Sequence, residues 1–444
     1  MKRVFQHGGN WNNGSNCGLF TANLNNTSSN SNTNIGSRLL LLSTIHNNAV
    51  SPYPLVKKIV WRDGVSRFIL ESPARNKSNM KRIGFLYEQI VSVENCKLAI
   101  QNASKHKGKR QAVKEVMNNL DTYAQDLSER LIRLDFLSPY RTRIIKDGLS
   151  GKERELQIPA FYPDQCAHHA IVQILQPIFL KSSYLWSCAN IPNRGIDHAC
   201  KGVERATVRD KKHAKYCVKM DISKFYPSIP HDKLKERLRE KIKDEKALQI
   251  LFKVIDSHSP GIPIGNYTSP WFAEFFLQPL DNYIKQTLGV KHYIRYADDL
   301  VMIGGNKREL RKAMKGVMAF VTGLGLTIKH DYQLYRVQRN CKSNKHRRGR
   351  KIDFVGRCFG VGFTTIRKRR ALALMRQSRF IQKLQRQNRP VSYHLASGFL
   401  SRCACFKHTN SEGMKKKYYD TVNIKKLKEV IRNESKRKSL SQCA

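Results

Sequence analysis

A chain of 444 residues exceeds what one hydrophobic core usually organises, so two or three subdomains are expected, and 40% apolar content suffices to fold them. Its 81 Lys and Arg against 34 Asp and Glu leave a formal charge of +47, which calls for a polyanionic partner, most simply a nucleic acid. No run of about 18 apolar residues exists, so neither a membrane span nor a membrane partner is expected.

The eleven cysteines are scattered without paired C-x-x-C spacing and read as reduced thiols of a cytoplasmic protein. Cys403 and Cys405, near His408, read as small buried thiols, because no second pair completes a four-ligand site.

In chain order, residues 1–79 come first, rich in Asn, Ser and Gly, with twelve asparagines among the first fifty positions. Apart from the apolar stretch IVWRDGVSRFIL they lack helical or strand periodicity, and disorder is expected for most of them. From Met80 the pattern becomes helical. Ile83, Leu86, Tyr87 and Ile90, then Cys96, Leu98 and Ile100, are spaced as on amphipathic helices. A basic link, SKHKGKR (104–110), leads to a second helix bearing Val113, Val116, Met117, Leu120, Tyr123 and Leu127.

From about 140 to 360 strands alternate with helices, and YCVKMDI and HYIRYADDLVMI read as strands buried on at least one face. KSNKHRRGRK (342–351) reads as a basic loop. Beyond 361 the chain is helical, with Leu372, Met375, Phe380, Ile381 and Leu384 spaced for a core. That tail holds 21 Lys and Arg against 4 Asp and Glu, a surface suited to a phosphate backbone.

Three carboxylates carry the chemistry. Asp221 ends an apolar strand in YCVKMDISKFYPSI, followed by Ile222, Phe225 and Tyr226. Further on, YIRYADDLVMIG sets Asp298 and Asp299 between two strand-like segments, as the tip of a hairpin would. Such a group amid apolar strands is costly unless it sits at a solvent-facing strand end or a cation neutralises it. Two Mg²⁺ ions about 4 Å apart, with Mn²⁺ as a substitute, would activate a 3′-hydroxyl and stabilise a leaving pyrophosphate, and carboxylate oxygens suit these hard ions. Asp221 and Asp298 are the expected bridging ligands and Asp299 the lesser one.

The ordered motifs resemble reverse transcriptases. DISKFYPSI is similar to their first palm motif, GIPIGNYTSPWFAEFFLQPLD (261–281) to the second and YADD to the third. The likeness continues through LGLTIKHD and KIDFVGRCFG (351–360), and backwards to RELQIPAFYPDQCAHHAIVQILQPIF (154–179). It implies an α/β (α+β) right-hand polymerase: N-terminal helices and fingers over 80–220, an antiparallel palm sheet with helices over 221–360, and a basic helical thumb over 361–444, behind a disordered extension.

By the same resemblance Tyr226 bars a ribose 2′-hydroxyl, and Lys152 and Arg154 meet the triphosphate. Ile222, Ile264, Gly265 and Ser269 line the nucleotide, Ile222 also standing among the metal contacts. Lys329 or His330 gives a proton to pyrophosphate. Physical chemistry agrees with two of these roles: a Gly-rich turn allows close backbone approach, and a planar guanidinium suits phosphate. For Arg154 an ion pair with Glu153 or Glu155 is the alternative.

Most relatives place Gln before the Gly of the second motif; here Ile264 precedes Gly265. This resembles the reverse transcriptases of diversity-generating retroelements, which copy a template RNA with errors at adenines. MKRIGFLYEQIVSVENCKLAIQNASKHKGK, from Met80, is similar to the opening of those proteins, although Pro270 follows Thr268 and Ser269 where that subgroup has Gln. GGNWNNGSNCGLFTANLNNTSSNSNTNIGSR (8–38) resembles the variable end of the lectin-like proteins these elements diversify. Asn codons begin with two adenines, so residues 1–79 are expected to be a translated template repeat and spacer, with Met80 the functional start. The implied partners are template RNA and its RNA/DNA hybrid, deoxynucleoside triphosphates and a small basic accessory protein. A phage-defence or group II intron-like reverse transcriptase, and a non-catalytic nucleic-acid-binding scaffold, are the alternatives.

Overall fold

The computed structural model describes residues 56–62, 65–71, 82–146, 153–339 and 349–440. The chain divides into two units, residues 1–75 and 76–444. In the first, β1 (Val56–Arg62) and β2 (Val65–Glu71) pair antiparallel from Val56↔Glu71 to Arg62↔Val65. The apolar stretch singled out in this segment therefore forms a hairpin. The disorder expected for the rest of 1–79, and the template-like segment 8–38, lie outside the described residues.

The second unit opens with the helices Tyr87–Val91 and Val93–Ser104, which divide where Ser92 is extended and its hydroxyl caps the Asn95 amide at 3.2 Å. Ile90, Cys96 and Ile100 are buried as the spacing predicts, but Leu98 faces solvent while Ala99 and Ala103 take the inner positions. The expected second helix is two, Gln111–Asn118 and Leu120–Arg133, broken at Asn119. Val113, Val116 and Leu127 are buried there and Met117 is exposed. Small residues line the inner stripe because the helix Cys166–Lys181 packs against Val93–Ser104 along the same core.

β3 (Arg141–Lys146) and β4 (Glu153–Ile158) form a two-stranded ribbon. The central sheet contains β5 (Ser187–Cys188), β6 (Tyr216–Asp221), β7 (His292–Tyr296), β8 (Asp299–Gly304) and β9 (Gln333–Arg336), in the order β5-β7-β8-β6-β9. All pairings are antiparallel except β5 with β7. Successive side chains point to opposite faces. Val218, Met220, Tyr293, Leu300 and Met302 join the core shared with the helices Glu245–Asp256, Ser269–Asn282 and Lys307–Gly323. Cys217, Ile294, Val301 and Ile303 enter a second core with Phe354 and Phe359. Covered on both faces, these strands read as unbroken apolar runs.

The second core is closed by the meander β10 (Ile352–Phe354), β11 (Arg357–Gly360) and β12 (Phe363–Ile366). Of the predicted basic loop, residues 342–348 lie outside the described residues. The C-terminal helices Lys368–Arg386, Tyr393–Cys403, Glu412–Tyr418 and Ile424–Leu440 build a third core around Leu374, Ile381, Phe399 and Leu427. Two residues expected in this core lie outside it. Leu372 and Phe380 are exposed, because the buried stripe runs 374, 378, 381 and 384 and they fall off it. Cys403 and Cys405 are buried free thiols, and burial pushes Cys403 up to about 12. Among the described residues no helix is long and apolar enough to cross a membrane.

Candidate active site

Strand register sets the site. Asp221, the last residue of β6, stands directly opposite Asp299, the first of β8. Asp298 occupies the two-residue turn between β7 and β8, after Ala297, whose φ is +52°. The Asp298 carbonyl accepts from the Ile222 amide at 3.2 Å. All three aspartates thus gather at one end of the sheet. Segment 327–329 is laced alongside: the Ser223 amide donates to the Thr327 carbonyl at 2.7 Å and the Lys329 amide to the Asp221 carbonyl at 2.8 Å.

Like charges facing each other across a ladder are destabilising. Burial, then the Asp221 charge, push the Asp298 carboxyl above the ordinary carboxylate range. Burial also raises Asp299, with Lys219 pulling the other way. The Lys219 ammonium lies 3.8 Å from Asp299 and donates to the Asp353 carbonyl at 3.0 Å. The Lys329 ammonium is ion-paired with Asp221. Burial opposes its charge, yet the hydrogen bond and charge of Asp221 prevail and raise its pKa. His330, its rival as proton donor, is exposed.

Among the described residues no three His, Cys, Asp or Glu side chains form a ready-made metal shell. The donor set is nevertheless oxygen throughout, three carboxylates with the neighbouring backbone carbonyls, and in kind it fits a hard divalent cation. A cation there would compete with the Lys329 ammonium for Asp221.

Tyr226 lies in the short helix Phe225–Ser228, and its phenol is pushed up to about 12 by burial and then by the charges of Asp298 and Glu274. Its carbonyl accepts from the Ile262 amide at 3.0 Å. Two glycines make the GIPIG turn possible. Gly261 has φ +64° and abuts the Pro227 backbone; Gly265 has φ +142°, and a Cβ there would run into the Gln157 carbonyl. The Gln157 amide donates to the Ile264 carbonyl at 2.9 Å, which joins this turn to β4 and hence to Arg154.

Ile264 is half-buried and Arg154 exposed. Arg154 has no ion pair among the described residues: Glu153 pairs with Lys146 at 2.9 Å, and Glu155 accepts from the Gln157 side chain at 2.9 Å. Ser269 starts the helix Ser269–Asn282 at 2% exposure. Ile222 is likewise buried and offers only its backbone. Lys152 lies outside the described residues.

Behind the Asp298 turn lies a buried arginine that the motifs do not announce. Arg295 of β7 is fully buried, and its guanidinium donates to Asp281 at 2.6 and 2.8 Å, to Glu274 at 2.9 Å, and to the Ser187 hydroxyl at 2.6 Å. It also donates to the Ala297 carbonyl at 3.1 Å, beside Asp298. Tyr293 completes the group through its hydroxyl on Asp281 at 2.8 Å. Burial pushes Glu274 up to about 7, with Arg295 opposing it. The signal was a lone Arg inside an apolar strand, together with Glu274 and Asp281 two helical turns apart in EFFLQPLD; a buried charge demands such partners.

The same stretch of chain is similar to known proteins. Residues 150–333 match the family model described as "Reverse transcriptase (RNA-dependent DNA polymerase)", and the chain carries such a domain. "Protein YkfC" of Escherichia coli (strain K12) is 24% identical over 215 residues, 38% of this chain and 56% of that protein. "Retron Ec73 reverse transcriptase" of Escherichia coli is 33% identical over 127 residues, 26% of this chain and 38% of that protein. "Group II intron-encoded protein LtrA" of Lactococcus lactis subsp. cremoris is 26% identical over 217 residues, 45% of this chain and 35% of that protein. The chain therefore spans 56% or less of the length of each of these relatives.

Proposed function

We propose that the chain is an RNA-directed DNA polymerase of the diversity-generating retroelement kind. It copies a structured template RNA into cDNA substituted at adenines, for diversification of a lectin-like target gene. The observation that carries the catalytic part is the pairing of Asp221 with Asp299 beside Asp298 in its turn. In this reading 80–220 form the fingers, 221–360 the palm and 361–444 the thumb. Residues 1–79 are template-derived, Met80 is the functional start, a small basic accessory protein assists, and the enzyme works in the cytoplasm.

Two bound Mg²⁺ ions would lower the pKa of the primer 3′-hydroxyl and stabilise charge on the leaving pyrophosphate. Asp221 and Asp298 would hold both, with Asp299 and the Ile222 carbonyl beside them. The Tyr226 ring bars a 2′-hydroxyl, and Arg154 with Lys152 grips the triphosphate. Lys329, released from Asp221, supplies the proton to pyrophosphate. Ile264 brings no amide to the nascent pair, so a polar check on pairing is missing.

The test is primer extension on RNA with Mg²⁺, the products being sequenced. Complementary DNA substituted opposite adenine, with Ile264→Gln copying more faithfully, is the expected result; no product at all sinks the reading. The retron and group II intron likenesses favour a second reading, a defence-type or intron-type enzyme, which the same assay recognises by even-handed fidelity.

A further inference from the structure

The segment just past Gly265 carries a ring stack that the chemistry above does not use. Tyr267 lies parallel to His169, with ring centroids 3.9 Å apart and planes 8° from one another. The stack is rigidly mounted: next to Tyr267, the Thr268 hydroxyl meets Nδ1 of the fully buried His168 at 2.8 Å, and Gln165 reaches the Gly265 carbonyl at 3.4 Å. Tyr267 is nevertheless 38% exposed. Burial, then the charges of Lys107 and Lys105, hold His169 down at about 4, so the stack is uncharged at neutral pH and two ammonium groups stand near it. Lys107 lies 6.0 Å over the Phe161 ring and Lys105 is exposed.

A partly exposed aromatic ring backed by a second ring, with cations in its neighbourhood, can take a nucleobase by stacking and its phosphates by charge, without regard to sequence. We propose that the Tyr267–His169 stack seats an unpaired base of the template strand, with Lys105 and Lys107 on the adjoining phosphates. The inference rests on the polymerase reading, since Gly265 belongs to the turn assigned to the nascent pair. It adds where the strand runs before pairing.

The test places 2-aminopurine at successive unpaired positions of an RNA template annealed to a primer. One position should be quenched by the wild-type chain and by Tyr267→Phe, and released by Tyr267→Ala. Affinity for single-stranded RNA should fall roughly 5- to 100-fold in Tyr267→Ala, while affinity for a blunt duplex stays within about twofold of wild type. Lys105→Ala with Lys107→Ala should flatten the salt dependence of single-strand binding by roughly 0.7 log unit per lysine. Undiminished quenching in a Tyr267→Ala chain that melts like wild type overturns the proposal. Should that variant unfold, the lysine variant decides, an unchanged salt slope being the overturning result. Quenching as expected without cDNA synthesis would remove the polymerase reading and leave the platform standing.

Discussion

The Arg295 guanidinium donates to the Ala297 carbonyl at 3.1 Å, so the turn that presents Asp298 hangs from a fully buried charge network. Replacing Arg295 by Met leaves Glu274 and Asp281 buried without their cation, at a cost of about 3–5 kcal/mol. Arg295→Lys keeps the charge but not the planar fork that reaches two carboxylates, a hydroxyl and a carbonyl at once. We expect Met to lower the melting temperature sharply. Lys should cost less stability yet still slow primer extension, through a looser Asp298. Thermal melting and extension rates of both variants check this; a Lys variant at full activity would release the turn from its dependence on Arg295.

Asp298→Asn should raise stability and abolish function together. The carboxylate is half-buried near two others and its charged form is disfavoured, so neutralising it relieves repulsion worth a few tenths to about 1 kcal/mol. Metal-assisted charge stabilisation is worth several kcal/mol, so extension should drop by roughly a thousandfold. The measurement pairs urea unfolding in chelator with extension in Mg²⁺. A destabilised or active variant contradicts the placement of Asp298 among the ligands.

His168 is wholly buried, and burial holds its pKa at about 3 against an ordinary 6.5. The folded chain therefore keeps this imidazole neutral while the unfolded chain takes up a proton below pH 6.5. The unfolded state binds more protons in that window, so stability falls as pH drops from 6.5 towards 3, by up to about 1.4 kcal/mol per unit from this group. Urea unfolding between pH 7 and 5 should show wild type losing up to about 2 kcal/mol more than His168→Gln. Equal slopes would show that His168 is protonated in the fold.

The aspartates were legible because their surroundings obey local rules. An apolar strand, a two-residue turn and a strand of period two leave Asp221, Asp298 and Asp299 no choice but one sheet end. For Arg295 the sequence shows only a lone charge in an apolar strand: its carboxylate partners sit on a helix, and no periodicity announces which strand residue a distant Glu274 will meet. The same limit explains Leu98, Met117, Leu372 and Phe380, each apolar and each exposed. Helical spacing marks two neighbouring stripes, and only the packing partner selects between them. The break at Asn119 carries no Pro or Gly to signal it. Between Lys329 and His330, pairing of Ile328 with Ile222 turned Lys329 onto Asp221, a choice that register makes and composition does not.

Gly265 is the position where a single methyl group should do most harm for its size. Its φ of +142° is one that side chains rarely adopt, and the added carbon would meet the Gln157 carbonyl, a backbone atom that cannot swing aside. Gly265→Ala must therefore push the GIPIG turn off β4, breaking the Gln157–Ile264 hydrogen bond and parting Ile264 from Arg154. Strain of this kind costs about 1–3 kcal/mol, and the polymerase reading adds a raised KM for the incoming nucleotide, because the two walls of its pocket no longer move as one. Gly108, exposed and with nothing within 4 Å of its would-be Cβ, is the control, and Gly108→Ala should leave both quantities unchanged. Melting curves and nucleotide titrations of the two variants separate the outcomes: loss of stability with an unaltered KM would mean that the turn braces the fold and takes no part in gripping substrate.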